Sequence, residues 1–202
     1  MVFGGKRIEV CGGIASGKTT LAGLFSDDVY LPVYENFQAN PFWQAFYQNP
    51  DKFAFETEIT FLLQHYHQIT AAQSDNKVIV TDYSFVLDRA YVDVTLNEGA
   101  KDAFLSVYGE VMRRLGPPAL LVYLNCSPEI ELGRVRDRGR GVESGITVEY
   151  LVAMNRAISD HMERASSEVR VLIIDSEYRD FAHDKLVQQS VLAEINQALH
   201  GA

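Results

Sequence analysis

Eight consecutive residues near the N-terminus constrain the fold of this chain more than any other feature. Residues 12–19 follow the pattern Gly-x-x-x-x-Gly-Lys-Thr, which is typical of a phosphate-binding P-loop. Residues 7–11 before the loop are predicted to form a β-strand, and residues 20–25 after it are predicted to begin a helix. This strand–loop–helix context favours a nucleoside triphosphate site over an ordinary glycine-rich turn.

The residue types in the loop suit a polyphosphate. Glycines allow close approach of the backbone, successive N–H groups form an anion-binding nest, and the helix N-terminus adds partial positive charge. Lys18 is expected to reach the β- and γ-phosphates, and the hydroxyl of Thr19 to ligate Mg²⁺. The predicted nucleotide-binding residues are Gly12, Gly13, Ile14, Ala15, Ser16, Gly17, Lys18, Thr19 and Thr20.

The composition predicts one ordinary domain over residues 1–202. The formal net charge of −9 argues against binding to a nucleic acid polymer. No apolar run approaches the length of a membrane span, and no secretory signal begins the chain. Cys11 and Cys126 are predicted to be buried free thiols, so the expected location is a reducing compartment, most simply the cytoplasm.

Apolar β-rich runs alternate with helical patterns along the chain. Strands are predicted at 7–11, 29–34, 78–81, 120–124 and 171–174. Helices after the first are predicted at 41–48, 53–72, 86–97, 102–115, 129–137, 147–167 and 180–199. Ser127 and Pro128 are predicted to supply an N-cap and a first-turn proline. The strand runs are continuously apolar, as buried parallel strands require, so the predicted fold class is α/β: a doubly wound five-stranded parallel sheet of the P-loop NTPase type, flanked by helices.

Two carboxylates follow predicted strands. Glu35 comes just after the second strand and Asp82 just after the third, so both are expected at the same sheet edge as the P-loop. One is suited to act as a general base toward an acceptor hydroxyl, and the other to hold Mg²⁺ directly or through water. Either residue taken alone is equally consistent with a solvated loop acid or a helix cap.

Arginines are concentrated in one short segment. Residues 134–140 hold four of the eighteen basic residues, in an otherwise acidic chain. Gly139 and Gly141 indicate that a helix gives way to a loop there. The segment 134–145 is therefore predicted to be a lid that neutralises phosphate charge, with a solubilising surface patch as the alternative.

These residues resemble the deoxynucleoside kinase family, which phosphorylates the 5′-hydroxyl of a deoxynucleoside using ATP with Mg²⁺. The resemblance runs from the P-loop to about Phe181. Residues 35–41 are similar to the family segment that opens with the catalytic Glu, although Asn36 replaces the usual Pro. The resemblance implies that Glu35 accepts the 5′-hydroxyl proton. Residues 47–55 are similar to the segment whose Tyr holds the sugar 3′-hydroxyl, which implies that role for Tyr47, with core packing as the alternative.

The lid region resembles the family most closely. The resemblance implies that Arg136, Arg138 and Arg140 grip phosphates and that Glu143 reaches the sugar 3′-hydroxyl. Residues 175–181 are similar to the loop that packs by the adenine of ATP. The family also implies a homodimer formed through helices, for which Tyr91, Tyr108 and the faces around Val92 and Val107 are candidates, although those faces could equally be core.

One departure from the family pattern lies at the reacting end. The family motif (Glu/Asp)-Arg-Ser is Asp82-Tyr83-Ser84 here, and a Tyr cannot supply the charge of the Arg. Either a lid arginine or Arg89 compensates, or the acceptor is unusual, or catalysis is weak. The alternatives are a P-loop kinase for another nucleotide or small-molecule acceptor, or a catalytically silent nucleotide-binding relative.

A second departure lies at the predicted base pocket. Glu58 stands where the family commonly reads the base with a Gln, and Asp88 matches an acid of members that prefer purines or cytidine. His65 replaces an Arg that often accompanies that acid. A carboxylate accepts two adjacent N–H donors, so a base with an exocyclic amine is expected, guanine being the candidate that best matches a carboxylate. The alternative is a shifted register in which Gln64 reads the base.

Overall fold

The computed structural model describes residues 6–25, 28–72 and 76–201, and these form a five-stranded parallel sheet flanked by helices. The strands are β1 (Arg7–Gly12), β2 (Tyr30–Val33), β3 (Val78–Thr81), β4 (Leu120–Asn125) and β5 (Val171–Asp175). Their order across the sheet is β2-β3-β1-β4-β5, with every neighbouring pair parallel. The predicted fold class is confirmed. The extreme ends of the predicted domain, residues 1–5 and 202, lie outside the described residues.

Eight helices connect and cover the strands within the described ranges. They are α1 (Lys18–Gly23), α2 (Trp43–Gln48), α3 (Pro50–Ala71), α4 (Phe85–Thr95), α5 (Glu98–Leu115), α6 (Pro128–Arg138), α7 (Val148–Ala165) and α8 (Lys185–His200). Each predicted helix is present, with shifted ends.

Side chains that cap the backbone set the shifted boundaries. The last helix begins at Lys185 rather than 180, because the Asp184 carboxylate accepts hydrogen bonds from two first-turn N–H groups. Asn49 likewise caps α3, which begins at Pro50 rather than 53. The predicted Ser127 cap is wrong in one respect: Ser127 is the N-cap residue and Pro128 follows it, but the Ser127 side chain makes no capping hydrogen bond.

Apolar side chains fill both faces of the sheet. On one face α1 and α8 pack on Ile8, Val10 and their neighbours, and on the other α3, α4, α5 and α7 cover Cys11, Ile79 and Leu121. Burial on both faces explains the continuously apolar strand sequences. Cys11 and Cys126 are buried and free, as predicted.

The residues proposed for a dimer contact lie largely in this core. Val92 is fully buried, and Val107 and Tyr108 pack against the same cluster. Tyr91 packs against the cluster beside α7. None of the helices in the described ranges is long and apolar enough to cross a membrane.

A buried ion pair in β1 helps to place the helix that carries Asp88. Arg7 Nε lies 2.7 Å from Glu9 Oε1, and both side chains are almost fully buried. The other Glu9 oxygen accepts from the N–H of Phe85, the first residue of α4. The guanidinium of Arg7 also donates to the carbonyl oxygens of Leu115 and Gly116, where α5 ends. The pair thereby ties two helix termini to the central strand.

Candidate active site

The P-loop begins where β1, the central strand, ends. Three of its residues have positive φ: Gly12 (154°), Ala15 (62°) and Gly17 (104°). Such angles turn successive peptide N–H groups toward the inside of the loop, and glycine adopts them without a steric cost. Lys18 opens α1, and its ammonium donates to the carbonyl oxygens of Gly12 (3.0 Å) and Gly13 (2.8 Å). The loop therefore has the geometry of an anion-binding nest.

A carboxylate from α6 lies directly behind the loop. A Cβ added to Gly13 would stand 2.1 Å from Oε1 of Glu131 and 2.6 Å from Oδ1 of Asn155, so only glycine fits. Glu131 is completely buried, and its Oε2 accepts from the Asn155 amide at 3.1 Å. Burial raises the pKa of Glu131 to about 7, and Lys18 opposes the shift. Sequence reasoning missed this contact because neither Glu131 nor Asn155 belongs to a motif.

An arginine of the basic segment also supports the loop. Arg134 donates to the carbonyl of Ala15 (3.4 Å) and to that of Ser176 in the loop after β5 (2.7 Å). Arg136, by contrast, is exposed and does not line the cavity beside the P-loop. Residues 134 and 138 lie on one face of α6 because they are four positions apart, whereas residue 136 projects from the opposite side. The helical period of α6 was the signal that could have separated these arginines.

Asp82 links the P-loop to the loop after β2. Its Oδ2 accepts from the hydroxyl of Thr19 (2.7 Å), and its Oδ1 accepts from the backbone N–H of Glu35 (2.6 Å). Both carboxylates therefore reach the sheet edge that the sequence predicts. Burial raises the pKa of Asp82, while its hydrogen bond from Thr19 opposes the shift. A hydroxyl oxygen and a carboxylate at bonding distance beside a phosphate site are the hard oxygen ligands that Mg²⁺ requires, so these residues fit the ion.

A cavity of about 210 Å³ opens beside the loop. Its lining includes most of the side chains that sequence reasoning selected: Lys18, Thr19, Glu35, Tyr47, Glu58, Asp82, Asp88, Arg138, Arg140 and Glu143. Gln64 does not line it, so the Glu58 register agrees better with the structure than the shifted one. Arg89 does not line it either, because its guanidinium lies over the ring of Tyr108, 5.6 Å from the centroid.

Acidic groups dominate the deep wall of the cavity. Glu58 on α3 and Asp88 on α4 are both almost fully buried. Burial raises the pKa of Glu58 well above its usual value, and the negative charges of Asp88 and Glu35 raise it further. Burial therefore favours the neutral form of the Glu58 carboxyl, which has one donor and one acceptor.

His65 lies between the carboxylates of Glu35 and Asp88. Its Nε2 is 3.0 Å from Glu35 Oε1, and its Nδ1 is 3.1 Å from the Asp88 carboxylate. Its ring stacks on Tyr83 with centroids 4.0 Å apart and planes at 9°. Burial lowers the pKa of His65, but the charge and hydrogen bonds of Asp88 and Glu35 outweigh burial and raise it to about 10.

The end of the basic segment closes the other side of the cavity. Arg138 Nε donates to Glu143 Oε2 at 2.8 Å, and Arg140 Nη1 lies 3.4 Å from the other oxygen. Arg140 also lies 4.4 Å over the ring of Phe37, in the segment after Glu35. Closure of this segment as a lid stays a prediction.

Tyr47 packs against aromatic side chains and also faces the cavity. Its ring packs edge-on against Trp43 and Phe46, with centroids 5.8 Å and 5.4 Å away, and it also lines the cavity. Burial, and then the charge of Glu143, raise the pKa of its hydroxyl. The phenol is therefore a neutral donor and acceptor beside a carboxylate.

A P-loop on the central strand of a parallel sheet, with carboxylates at the neighbouring strand ends, defines the class of P-loop phosphotransferases. Comparison with known proteins narrows the class. The family model described as deoxynucleoside kinase matches residues 8–200. The chain belongs to the deoxynucleoside kinase family, and it is an enzyme of that family, a phosphotransferase.

Curated relatives and solved structures agree with this assignment. The deoxyguanosine kinase of Bacillus subtilis (strain 168) is 26% identical over 95% of this chain and 97% of that protein. The deoxyadenosine kinase of Dictyostelium discoideum is 26% identical over 94% of this chain and 79% of that protein. The structure of deoxyadenosine kinase from M. mycoides with bound dATP has a TM-score of 0.80 and 20% identity, covering 95% and 99% of the two chains.

Proposed function

We propose that this enzyme transfers the γ-phosphoryl group of ATP to the 5′-hydroxyl of a deoxynucleoside, giving the 5′-monophosphate. One observation carries the proposal: the P-loop, Glu35 and Asp82 border a single cavity whose far wall is built from Glu58 and Asp88. That cavity offers a phosphate site at one end and hydrogen-bonding groups for a sugar and a base at the other. The names of the relatives support the same substrate class.

At the phosphate end, ATP is held by backbone N–H groups of residues 12–19 and by Lys18. Mg²⁺ is held by the Thr19 hydroxyl and Asp82, directly or through water, and supplies charge neutralisation at the phosphates. The present contacts of Lys18 with two P-loop carbonyls keep its ammonium beside the phosphate position. Arg138 and Arg140 approach from the opposite side and add positive charge where negative charge develops during transfer.

At the acceptor end, Glu35 is placed to take the proton of the 5′-hydroxyl. Its backbone is anchored by Asp82 and its side chain by His65. Burial opposes ionisation of Glu35, but hydrogen bonding and the charge of His65, with Lys18 and Arg140 beyond, leave its pKa below the usual value. The Glu35 carboxylate, the proposed general base, is therefore ionised at neutral pH. Catalysis then consists of positioning and electrostatic stabilisation, without a covalent intermediate.

The sugar and the base occupy the remaining wall. Tyr47 and Glu143 form the proposed pair for the 3′-hydroxyl, since a phenol donates or accepts and a carboxylate accepts. Glu58 and Asp88 face the base, and we propose a base with an exocyclic amine, for which Asp88 is the acceptor.

The neutral state of Glu58 changes the argument for guanine. A neutral acid pairs with one donor and one acceptor side by side, as an amide does. Adenine and cytosine present such an edge, with the exocyclic amine as the donor, and guanine presents one through O6 and N1–H. Thymine presents one as well, through N3–H and a carbonyl oxygen, so the proposed discrimination against thymidine rests on Asp88. Deoxyguanosine therefore stays one of three proposed substrates, and the ionised-carboxylate argument no longer singles it out.

The homodimer and the cytoplasmic location belong to the same proposal. They are supported by membership of the deoxynucleoside kinase family and by the two free cysteines. Sedimentation of the purified protein tests the dimer.

Turnover assays test the proposed reaction. Purified protein is given ATP and Mg²⁺ with deoxyguanosine, deoxyadenosine, deoxycytidine or thymidine, and the products are separated by chromatography. We expect 5′-monophosphates from the three amine-bearing substrates in preference to thymidine, with turnover falling by about 10²-fold or more in Glu35→Gln. If no deoxynucleoside is phosphorylated despite measurable ATP binding, the proposed acceptor is wrong. If thymidine is used as well as the other three or better, the proposed base preference is wrong.

A further inference from the structure

His65 occupies an unusual position for a histidine on a helix of the core. Its side chain is 3% exposed, and each ring nitrogen meets a different carboxylate at about hydrogen-bond distance. One carboxylate is Glu35, which borders the P-loop, and the other is Asp88, which borders the base wall. A single ring thus spans the reacting end and the recognition end of the cavity.

The chemistry of the two contacts determines the protonation of the ring. A neutral imidazole has one N–H donor and one bare nitrogen, so it satisfies one ionised carboxylate and repels the other. The imidazolium has two donors and satisfies both. The ring also lies between aromatic faces, with Tyr83 at 4.0 Å and Phe61 at 5.8 Å between centroids. Aromatic faces attract a cation placed over them.

The groups around the ring favour the charged form. Two carboxylates favour it, Glu35 from the loop after β2 and Asp88 from α4, whereas the Tyr83 phenol from the loop after β3 and the Glu58 carboxyl from its own helix bring no positive charge against it. The Tyr83 hydroxyl donates to the backbone carbonyl of His65 rather than to the ring, at 3.4 Å. No cationic side chain in the described part of the chain makes a hydrogen bond or ion pair with this ring.

We propose that His65 is an imidazolium at neutral pH that positions Glu35 for the acceptor hydroxyl and, through its other nitrogen, couples this carboxylate to Asp88 at the base wall. His65 is a positioning residue: it acts through the two carboxylates and does not itself touch the reacting atoms. The inference rests on the proposed function for the role of Glu35, whereas the protonation of His65 is independent of it.

The proposal also explains the tyrosine at position 83. A cationic side chain at position 83 would lie against the imidazolium and be repelled by it. Tyr83 instead supplies a flat, fully buried face on which the imidazolium stacks. The positive charge beside Glu35 therefore comes from α3 rather than from the loop after β3, and no lid arginine or Arg89 is needed for that contact.

The first experiment measures protonation directly. The wild-type protein is labelled with ¹⁵N-histidine, and the ring nitrogens are followed by NMR from pH 6.5 to 9. We expect two N–H signals from His65 across this range. Variants that change the other four histidines to Gln one at a time (His67, His161, His183 and His200) leave those two signals in place, which assigns them to His65 by exclusion. A single protonated ring nitrogen at pH 8 would overturn the proposal. That result would also be found if Asp88, rather than the ring, held the second proton.

The second experiment measures the consequence for turnover. His65→Gln retains one donor but no charge, so we expect kcat to fall about 10²-fold while KM for ATP stays within about threefold. Wild-type kcat should hold through pH 9 and fall as pH approaches 10, and this fall should be missing in His65→Gln. His67→Gln should match the wild type in both respects.

The outcomes separate the two proposals. If His65→Gln keeps kcat within about threefold of the wild type, the positioning role is wrong even though the kinase reaction stands. If the wild type phosphorylates no deoxynucleoside, the proposed reaction is wrong, and the NMR result alone decides the charge of His65. If His65→Gln does not fold, the NMR measurement on the wild type still decides it.

Discussion

The two ends of the cavity are built in opposite ways. The phosphate end comes from nine consecutive residues, 12–20, and depends mainly on backbone N–H groups whose direction follows from local φ angles. The acceptor end comes from side chains on α2, α3, α4, the loop after β2 and the segment after α6. A site made from backbone geometry is visible in a short motif. A site made from side chains of five segments exists only after the chain has folded.

The two ends also differ in how their charges depend on one another. Lys18 at the phosphate end makes its hydrogen bonds with carbonyl oxygens, and its charge also acts on Glu35. At the acceptor end, Glu35, Glu58 and Asp88 share one cavity with His65, and the protonation of each depends on the others. Substitutions at the phosphate end should therefore affect all acceptors equally, whereas those at the acceptor end should change their ranking.

The largest expected effect comes from removing the P-loop cation. Lys18→Met removes the charge beside the phosphates, so kcat/KM should fall by about 10²–10³-fold for every deoxynucleoside, with their ranking unchanged. Steady-state kinetics with all four substrates measures it. Lys185→Met, at the exposed start of α8, is the matched control and should behave as wild type. A changed ranking in Lys18→Met would break the distinction between the two ends.

The next effect tests the support behind the loop. In Gly13→Ala the new Cβ meets Glu131 Oε1, which has little room to retreat because Glu131 is completely buried. The variant should lose about 1–3 kcal/mol of unfolding free energy and bind ATP more weakly. Urea denaturation and ATP titration measure these losses.

A glycine in open space provides the control for that experiment. Gly109→Ala, on the exposed face of α5, meets no atom within 4 Å and should gain about 0.5–1 kcal/mol. Equal stability changes in the two variants would show that the P-loop is not held by contact with Glu131.

A pH dependence should arise from Glu131 itself. Because burial raises its folded-state pKa to about 7, its contribution to stability is complete below its usual pKa and is lost as pH rises toward 7. Glu131→Gln has no group that ionises at this position, so its unfolding free energy does not fall in this way. Relative to wild type, its unfolding free energy should therefore rise between pH 4.5 and 8, by up to about 3 kcal/mol. Parallel stability curves for the two proteins over this range would contradict a buried, protonated Glu131.

The smallest expected effect tests what Glu58 contributes at the acceptor end. Since burial favours the neutral form of Glu58, Glu58→Gln keeps one donor and one acceptor and should leave kcat/KM within about threefold, with the same base ranking. Glu58→Leu removes both groups and should cost about 1–3 kcal/mol of transition-state binding. Product assays with each deoxynucleoside measure both variants. A reordering of the bases by Glu58→Gln would show that Glu58 reads the base as an ionised carboxylate.

Much of the fold was predictable because its signals are local. The strand sequences are apolar on both faces, the P-loop motif marks the central strand end, and Pro128 marks a helix start. Helix boundaries at Lys185 and Pro50 were displaced because single capping side chains, Asp184 and Asn49, decide them. Arg134 was overlooked in favour of Arg136 because the family resemblance begins at Arg136, whereas the contacts of Arg134 with Ala15 and Ser176 exist only in the folded chain.

The amino-acid sequence by itself determined the P-loop, the parallel sheet, the two carboxylates at its edge and the family, because each is encoded in a contiguous motif or a local period. Only the tertiary structure decided that a Cβ on Gly13 would meet Glu131, that burial favours the neutral form of Glu58 and that His65 lies between Glu35 and Asp88. The physical reason is that burial and charge coupling act between residues distant in sequence. Their size depends on distances that exist only once α3, α4 and α6 have packed around the sheet.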